Sequence, residues 1–241
     1  MGQLRLGVDI GGTFTDLLLA DKDGVILTLK TPSVPQAPEQ AIINGLKELK
    51  KRGIRLEDIN IFIHGTTLAV NTLIERKGCK TALLVTKGFR DILEMRRLRL
   101  ENTIDLYGDK VVPLVARQDV VEIDERITVD GAIRKELSLE GLDEQLQNLL
   151  DQGVESIAIS FLHSYKNPIH EVKVKKYIQE RFPQFYISIS SEIWPQQKEY
   201  ERTLVTVINS YIGRKMKEYF EHLIAGCNEM GLKASVLSTM S

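Results

Sequence analysis

The chain has 241 residues, of which 43% are hydrophobic and 27% charged, a composition typical of a globular protein that folds without disulfides or metals. Its formal net charge of -1 gives no electrostatic reason to expect nucleic acid or an anionic membrane as a partner. No apolar run approaches the roughly 20 residues that span a bilayer, so we expect no membrane span.

The first part of the chain predicts several strands followed by a helix. Three apolar runs separated by tight turns are typical of consecutive antiparallel strands. These runs span residues 4–10, 14–20 and 25–29. After a proline-rich connector, apolar residues recur at helical spacing over 39–52, and Gly53 ends the predicted helix.

Beyond residue 53, short apolar strands alternate with helices, which favours an α/β fold with a mixed sheet and helices on both faces. The predicted strands are 59–63, 81–85, 156–161, 185–190 and one that begins near 233. The predicted helices are 67–77, one from 89, 139–151, 168–181 and 196–228, the last with a candidate break near Gly213.

Segment 99–136 interrupts this alternation. Its string VVEIDERITVDGAIRKEL predicts a small inserted hairpin with the turn at Asp130-Gly131. We therefore divide the chain into the first part of the main domain at 1–98, a β-rich insertion at 99–136 and the remainder at 137–241. Because the sequence stops inside a predicted strand, we expect the chain to be a piece of a longer protein.

The most polar part of the N-terminal hairpin is the string GVDIGGTFTD at residues 7–16. The chain contains no GxxxxGK[ST] string, and the residues after Gly12 favour a strand over the helix that a dinucleotide fingerprint requires. Gly11 and Gly12 therefore lie in a turn between two strands. Because glycine has no Cβ, backbone N–H groups at this turn can approach an anion closely.

Polar side chains flank this turn on both strands. Thr13 and Thr15 alternate to one face, where their hydroxyls can donate hydrogen bonds to phosphate oxygens. Asp9 is placed to hold a hydrated Mg²⁺ through its waters, and Asp16 is placed to do the same or to orient an attacking group. The pattern predicts a nucleotide-phosphate site; the alternative is a plain hairpin whose polar residues make only local turn hydrogen bonds.

GVDIGGTFTD resembles the first phosphate loop of the actin-like ATPase superfamily, and further strings narrow the resemblance to the hydantoinase A/5-oxoprolinase family. These strings are HGTTLAVNTLIERKG (64–78), TKGFRDILEMRR (86–97), FLHSYKNPIHE (161–171) and SSEIWPQQKEYERTLVTVINSYIG (190–213). The resemblance implies an RNase H-like domain that binds nucleotide in a cleft against a second such domain, and ATP-driven opening of cyclic amides. A related branch carboxylates ketones.

A second polar cluster, His64-Gly65-Thr66-Thr67, follows the fourth predicted strand and precedes a helix, which is a common place for a ligand pocket. His64 is a candidate general acid or base or a substrate hydrogen-bond partner, with Thr66 and Thr67 as catalytic partners or ordinary N-caps. Asn71 lies one helical turn beyond Thr67, so its amide can reach the same pocket. The resemblance places this string in the active cleft, with Gly65 and Asn71 against the substrate.

Other polar groups have less certain roles in the sequence. Arg90 is a candidate substrate contact or a surface charge, and the basic run at 96–99 is a solvated face or a guide for an anionic substrate. His163 and His170 are expected to be structural or solvated. The string at 200–203 is a hallmark of the resembled family, but its spacing gives no role.

These residues predict the N-terminal part of an ATP-dependent cyclic-amide hydrolase, with ATP and Mg²⁺ as cofactors. The resemblance implies a small cyclic amide as substrate and a second, B-type subunit; we also expect an oligomer. Two cysteines without metal-ligand spacing favour a reducing cytoplasm. Since no second Asp-x-Gly-Gly string occurs, we expect this chain alone to bind nucleotide weakly and to hydrolyse none. The alternatives are a ketone carboxylase subunit and a non-catalytic actin-like binding module.

Overall fold

The computed structural model describes residues 4–98 and 111–240, which form two compact units. One unit combines Met1–Arg76 with Lys215–Ser241, and the other is Lys77–Arg214. The strands are β1 (Leu4–Ile10), β2 (Phe14–Ala20), β3 (Val25–Pro32), β4 (Ile59–Thr66), β5 (Thr81–Thr86), β6 (Val120–Ile123), β7 (Arg126–Ile127), β8 (Ile133–Lys135), β9 (Ser156–Ser160), β10 (Tyr186–Ile189) and β11 (Ser235–Met240). The helices are α1 (Pro38–Lys51), α2 (Leu68–Ile74), α3 (Ile92–Met95), α4 (Leu142–Asp151), α5 (Ile169–Arg181), α6 (Ser190–Ile193) and α7 (Glu199–Glu229).

The first unit contains a mixed five-stranded sheet in the order β11-β4-β1-β2-β3. β1 pairs antiparallel with β2 and parallel with β4, and β11 pairs parallel with β4. The predicted N-terminal hairpin, its third strand and the C-terminal strand are confirmed. Alternate residues of β1 and β2 are buried, as expected for strands with one covered face.

Helix α1 covers one face of this sheet. Its fully buried residues Ile42 and Leu46 pack with Leu6 and Leu17 in one hydrophobic cluster, and each such side chain contributes about 1.5–3 kcal/mol on burial. Gly45 allows the helix to approach the strand, because a Cβ there would lie 2.4 Å from Leu17 Cδ2. The hairpin is therefore held from behind by a tightly packed helix.

The other face of this sheet is open within the described residues. Leu18, Ile63 and Leu237 are exposed there, and the strand register aligns them in one row with Gly7. Asp9 lies on the same face, two residues along β1 from Gly7. The face that carries Asp9 is thus opposite the face that packs on α1.

The second unit contains a four-stranded parallel sheet in the order β10-β9-β5-β6. All residues of β5 and β9 are buried, as expected for parallel strands covered on both faces. The small hairpin predicted around Asp130-Gly131 is confirmed as the antiparallel pair β7–β8. The prediction of one sheet is corrected, since the strands predicted at 81–85, 156–161 and 185–190 form this second sheet instead of extending the first.

Helix α7 runs without a break through Gly213. A Cβ at that position would lie 2.6 Å from the Tyr186 ring, so this glycine accommodates an aromatic neighbour and is not a helix break. No helix in the described part of the chain has both the length and the apolar character needed to cross a bilayer. The boundary predicted at residue 98 adjoins residues 99–110, which lie outside the described residues, and the division at 98 and 136 stays a prediction.

Candidate functional site

The turn between β1 and β2 lies at one edge of the five-stranded sheet. β1, β4 and β11 are parallel, so their carboxyl ends meet at this edge. The register pairs Asp9 with Gly65 and Ile10 with Thr66, which brings the two polar clusters of the sequence together. Ligands of α/β proteins commonly bind at the carboxyl ends of parallel strands.

Ser33, which follows β3, holds the turn in place. Its Oγ donates to the carbonyl of Gly11 at 2.7 Å, and its N–H donates to the carbonyl of Thr13 at 2.9 Å. The same Oγ lies 3.0 Å from Thr15 Oγ1. Sequence analysis missed Ser33, because its proximity to the turn becomes visible only once the pairing of β2 with β3 is known. These hydrogen bonds hold the turn in its observed conformation.

Two backbone N–H groups of the turn remain available. Gly11 donates to the carbonyl of Phe14 at 3.0 Å, but Gly12 and Thr13 donate to no acceptor within residues 4–98 and 111–240. A Cβ at Gly11 would lie 2.9 Å from Phe14 O, whereas a Cβ at Gly12 would have no atom within 4 Å. Gly12 also has no left-handed φ. Neither packing nor backbone conformation therefore requires a glycine at position 12.

Two carboxylates lie beside the turn. Asp9 and Asp16 are directly opposite each other on β1 and β2, and both are exposed. Lys30 Nζ lies 3.4 Å from Asp16 Oδ1, which leaves Asp9 as the carboxylate with no ion pair in the described chain. The described residues contain no group of three or more His, Cys, Asp and Glu side chains arranged to hold a metal. The two carboxylates Asp9 and Asp16 still fit Mg²⁺, because this ion commonly keeps most of its waters and binds through only one or two carboxylates.

The two threonines of the turn have different surroundings. Thr13 is exposed, whereas Thr15 is fully buried and its hydroxyl is engaged with Ser33. Thr15 thus supports the turn from the covered side. The direct contact with phosphate predicted for both residues stays a prediction, and for Thr15 it requires a rearrangement.

His64 lies on the covered face of β4, as does its register partner Val8. The imidazole is 0% exposed, and its Nε2 lies 2.5 Å from the hydroxyl of Tyr219 on α7. Burial lowers the pKa of His64, and the Val8 backbone and the charge of Asp9 oppose this shift only in part. The ring is therefore neutral at pH 7. Its catalytic role stays a prediction, because a ligand on the open face does not touch it.

The remaining residues of the second cluster make local hydrogen bonds. Thr66 is buried, and its Oγ1 accepts the N–H of Leu68 at 3.1 Å, which stabilises the start of α2. Thr67 Oγ1 accepts from Asn71 Nδ2 at 3.2 Å, which places these two side chains on one helix face. Gly65 lies beside Asp9. Of this cluster, Gly65, Thr67 and Asn71 are accessible to a ligand.

Arg90 belongs to the other unit. Its guanidinium donates to the carbonyl of Arg117, with distances of 3.3 Å from Nε and 3.2 Å from Nη2. The neighbouring Asp91 is bonded to Arg117, and this hydrogen bond lowers the pKa of the Asp91 carboxyl. The contact of Arg90 with substrate stays a prediction.

Comparison with known proteins identifies the family of this chain. The model of the hydantoinase/oxoprolinase N-terminal region matches residues 5–182. The chain belongs to the hydantoinase/oxoprolinase family. This hydantoinase/oxoprolinase chain is 36% identical over 236 residues to caprolactamase subunit alpha of Pseudomonas jessenii, with 95% of the chain and 34% of that protein covered. It is 30% identical over 272 residues to 5-oxoprolinase 1 of Arabidopsis thaliana, with 100% of the chain and 21% of that protein covered.

Solved structures agree with this assignment. The ATP-dependent caprolactamase from Pseudomonas jessenii superimposes with a TM-score of 0.85 at 34% identity, over 97% of the chain and 35% of that structure. The nucleotide-free structure of acetone carboxylase superimposes with a TM-score of 0.82 at 26% identity, over 98% of the chain and 36% of that structure. The chain spans about a third or less of the length of these relatives.

Proposed function

We propose that this chain is the nucleotide-binding N-terminal part of an ATP-dependent hydrolase that opens cyclic amides. Family membership and the similarity to a caprolactamase subunit and a 5-oxoprolinase support this reaction class. Because the chain spans only a part of those relatives, the complete activity belongs to a longer assembly. The present residues contribute the phosphate site.

The observation that carries this proposal is the state of the β1–β2 turn. Gly12 and Thr13 present exposed N–H groups, and the space where a side chain at position 12 would lie is empty of protein atoms. Adjacent N–H groups in a turn can form an anion site, so this turn is suited to bind phosphate oxygens. The hydrogen bonds of Ser33 keep it in that shape.

The chemistry of amide opening explains the need for a phosphate site. Amide resonance makes the carbonyl of a lactam a poor electrophile. Transfer of the γ-phosphoryl group of ATP to the amide oxygen, with release of ADP, would remove this resonance, so that water adds to the carbon and the C–N bond then breaks with the nitrogen leaving as the amine; a second water would release phosphate from the resulting acyl phosphate. In this scheme the N–H groups of Gly12 and Thr13 stabilise negative charge on phosphate oxygens. Asp9 would hold a hydrated Mg²⁺, with Asp16, which is paired with Lys30, as the second carboxylate of this site.

Residues of the second cluster divide into two proposed roles. Gly65, Thr67 and Asn71 would contact the cyclic amide, because they lie at the same sheet edge as the turn and are accessible. Thr66 and His64 are buried, so we assign them to positioning of β4 and α2. The catalytic base remains unassigned among the described residues.

We also propose the setting in which the site works. The mixed sheet with its N-terminal hairpin supports an RNase H-like half of an actin-like ATPase, with ATP bound against a second half outside this chain. Relatives are named as subunits, which supports a second, B-type subunit and an oligomeric enzyme. A cytoplasmic location stays a prediction.

A ketone carboxylase subunit is the second candidate. It is supported by the superposition on acetone carboxylase, whose TM-score of 0.82 is close to that of the caprolactamase. The β1–β2 turn suits both reactions, since each needs phosphoryl transfer from ATP. The β1–β2 turn therefore does not distinguish a cyclic-amide hydrolase from a ketone carboxylase, and an activity assay is needed.

The deciding experiment assays the complete enzyme that contains this chain, together with its partner subunit, with Mg-ATP. The substrates are caprolactam, 5-oxoproline and hydantoin for ring opening, and acetone with bicarbonate for carboxylation. We expect ATP-dependent ring opening that is lost on Gly12→Val. Carboxylated ketone as the product would favour the second candidate, and an assembly that neither binds nor hydrolyses ATP would support a non-catalytic module.

A further inference from the structure

A second candidate site lies within the unit 77–214. In its parallel sheet the chain passes from β5 to β6 on one side, and then returns to β9 on the other side of β5. The strand order therefore reverses between β5 and β9. In open α/β sheets, the crevice outside the carboxyl ends of strands at such a point is where ligands bind.

A cavity of about 210 Å³ is found beyond the carboxyl end of β9. Its lining includes Val129, Leu162, His163, Tyr165, Lys198 and Arg202. This volume equals about seven water molecules at ~30 Å³ each, so it fits a small organic molecule. The strings 161–171 and 190–213, whose role the sequence left open, both contribute to this lining.

Arg202 is the main polar feature of the cavity, and it is 1% exposed. Its Nε donates to Ser190 Oγ at 3.2 Å, its Nη1 to Gln196 O at 2.9 Å and its Nη2 to Phe161 O at 2.9 Å. These bonds use three of the five N–H groups of a guanidinium. No carboxylate of the described residues forms an ion pair with it. Burial lowers the pKa of the Arg202 guanidinium, and the charges of Glu171 and Glu199 offset this shift only in part. Its two N–H groups without an acceptor point to an acceptor supplied from outside.

The nearest acidic groups are engaged elsewhere. Glu171, which is fully buried, accepts hydrogen bonds from the Phe161 N–H, the Ser190 hydroxyl and the Ser191 N–H. Glu199 lines the cavity, and its carboxylate lies 3.9 Å from Arg97 Nη2. Neither carboxylate therefore satisfies the two remaining N–H groups of the guanidinium.

The backbone around the cavity is strained at two positions. His163 has a φ of 58° and Lys198 has a φ of 75°, a left-handed conformation that residues with a Cβ rarely adopt. Both residues line the cavity. Strain of this kind gathers at ligand sites, where the surrounding structure holds it in place.

The electrostatic environment agrees with an anionic ligand. Burial lowers the pKa of His163, and the positive charges of Arg126 and Arg202 lower it further. The guanidinium of Arg202 also lies 5.4 Å from the centre of the Tyr165 ring, a cation–π contact at the cavity. Arg202 and Lys198 contribute positive charge to the lining and Glu199 contributes a negative charge, while Val129, Leu162 and Tyr165 provide apolar surface.

We propose that this cavity binds a small organic carboxylate, with the guanidinium of Arg202 bonded to the carboxylate and the apolar residues in contact with its carbon skeleton. A planar guanidinium matches the geometry of a carboxylate, and the limited volume and single buried cation suit a monoanion better than a phosphate. The proposal does not depend on the β1–β2 turn.

The experiment uses the full 241-residue chain without nucleotide or Mg²⁺. Calorimetric titration compares 5-oxoproline with 2-pyrrolidinone, the same ring without the carboxylate, and adds butyrate and inorganic phosphate as probes. We expect 5-oxoproline, butyrate or both to bind. Each of these carboxylates that binds should do so at least tenfold more tightly than 2-pyrrolidinone and phosphate. Equal affinity for the two ring compounds, tighter binding of phosphate, or no binding of either carboxylate would overturn the proposal.

Variants locate the binding. Val129 is 64% exposed at the cavity, so Val129→Trp is expected to fill it without unfolding the protein and to weaken carboxylate binding at least tenfold. Val172→Trp on α5, where the side chain is 48% exposed and outside the cavity lining, is the matched control.

Arg202→Lys is expected to abolish binding. Gly12→Val should leave it unchanged, which separates this site from the nucleotide site. Carboxylate binding that survives Val129→Trp would contradict the assignment.

Discussion

The hydroxyl of Tyr219 lies 2.5 Å from Nε2 of His64, and this contact joins α7 to β4 across the covered face of the five-stranded sheet. Burial raises the pKa of the Tyr219 hydroxyl and lowers that of the imidazole, so both groups are neutral near pH 7. The pair is a buried neutral hydrogen bond behind the strand that carries Gly65. The pair lies on the covered face of β4, opposite the face that carries Asp9.

Acidification is expected to destabilise the chain through His64. Its folded pKa is lowered, so the folded state binds fewer protons than the unfolded state, in which the pKa is about 6.5. The contribution is fully present above that value and is lost as the pH falls below it. Urea unfolding between pH 7.5 and pH 5 should give a falling free energy of unfolding, with a smaller fall in His64→Gln.

His163→Gln is the companion variant: burial also lowers the pKa of His163, so this variant should likewise reduce the fall in the free energy of unfolding. Carboxylates with lowered pKa values, such as Asp143 beside Tyr177 and Arg181, change the free energy of unfolding only below about pH 4. An unchanged pH dependence in His64→Gln would show that this imidazole is not the titrating group.

Gly12→Val is expected to separate binding from folding. Its Cβ meets no atom within 4 Å, so the free energy of unfolding should change by about 0.5 kcal/mol or less. Its side chain would occupy the ligand space, so affinity for Mg-ATP in the complete enzyme should fall at least tenfold. Gly11→Ala is the contrasting variant, because its Cβ would lie 2.9 Å from Phe14 O and should destabilise the hairpin.

Asp9→Asn should remove the Mg²⁺ dependence of nucleotide binding without loss of stability, since the side chain is exposed and has no ion pair in the described chain. Titration of nucleotide with and without Mg²⁺ measures the first effect. The charge of Asp9 also raises the pKa of His64, so NMR titration of the imidazole should give a lower pKa in the variant. A wild-type response to Mg²⁺ would refute the role of Asp9.

Gly45→Ala tests the close packing of α1 on β2. Alanine is a better helix former than glycine by about 1 kcal/mol, yet its Cβ would lie 2.4 Å from Leu17 Cδ2. We expect the steric effect to win, with a net loss of about 1–3 kcal/mol in chemical denaturation. In a double-mutant cycle, Gly45→Ala should cost less in the Leu17→Ala background. Additive losses would mean that the two residues do not interact.

Replacing a strained residue with glycine should stabilise the second unit. His163→Gly and Lys198→Gly relieve a left-handed φ, and each is expected to raise the free energy of unfolding by about 1 kcal/mol. Thermal unfolding measures this gain. A matched substitution at Lys166, which neighbours the same loop and has no positive φ, should be destabilising or neutral.

The sequence predicted local structure well where periodicity and turn residues specify it. Strands β1 and β2 alternate apolar and polar residues around a glycine turn, and the hairpin at Asp130-Gly131 has a standard turn signal. Apolar runs such as 81–85 identify a buried strand but carry no information on its neighbours. The division of strands between two sheets was therefore beyond sequence reasoning.

The candidate site was predicted in part for the same reason. Gly12 and Asp9 were identified because their residue types are unusual in a strand hairpin. The burial of His64 was not foreseen, because a histidine near the end of a strand faces either side depending on register, and its catalytic role stays a prediction. Arg202 was singled out only as part of the string 200–203, without a role, because its burial depends on contacts of α7 with β9 and the loop at 161–168.

The parallel register of β1 and β4 has a consequence for folding itself. It places Val8 and His64 on one side, and Asp9 and Gly65 on the other. A shift of β1 by a single position would move the Asp9 charge into the hydrocarbon interior, at a cost of several kcal/mol. The carboxylate of Asp9 thus disfavours misaligned pairing of the strands, so Asp9→Leu would make incorrectly paired sheets more competitive.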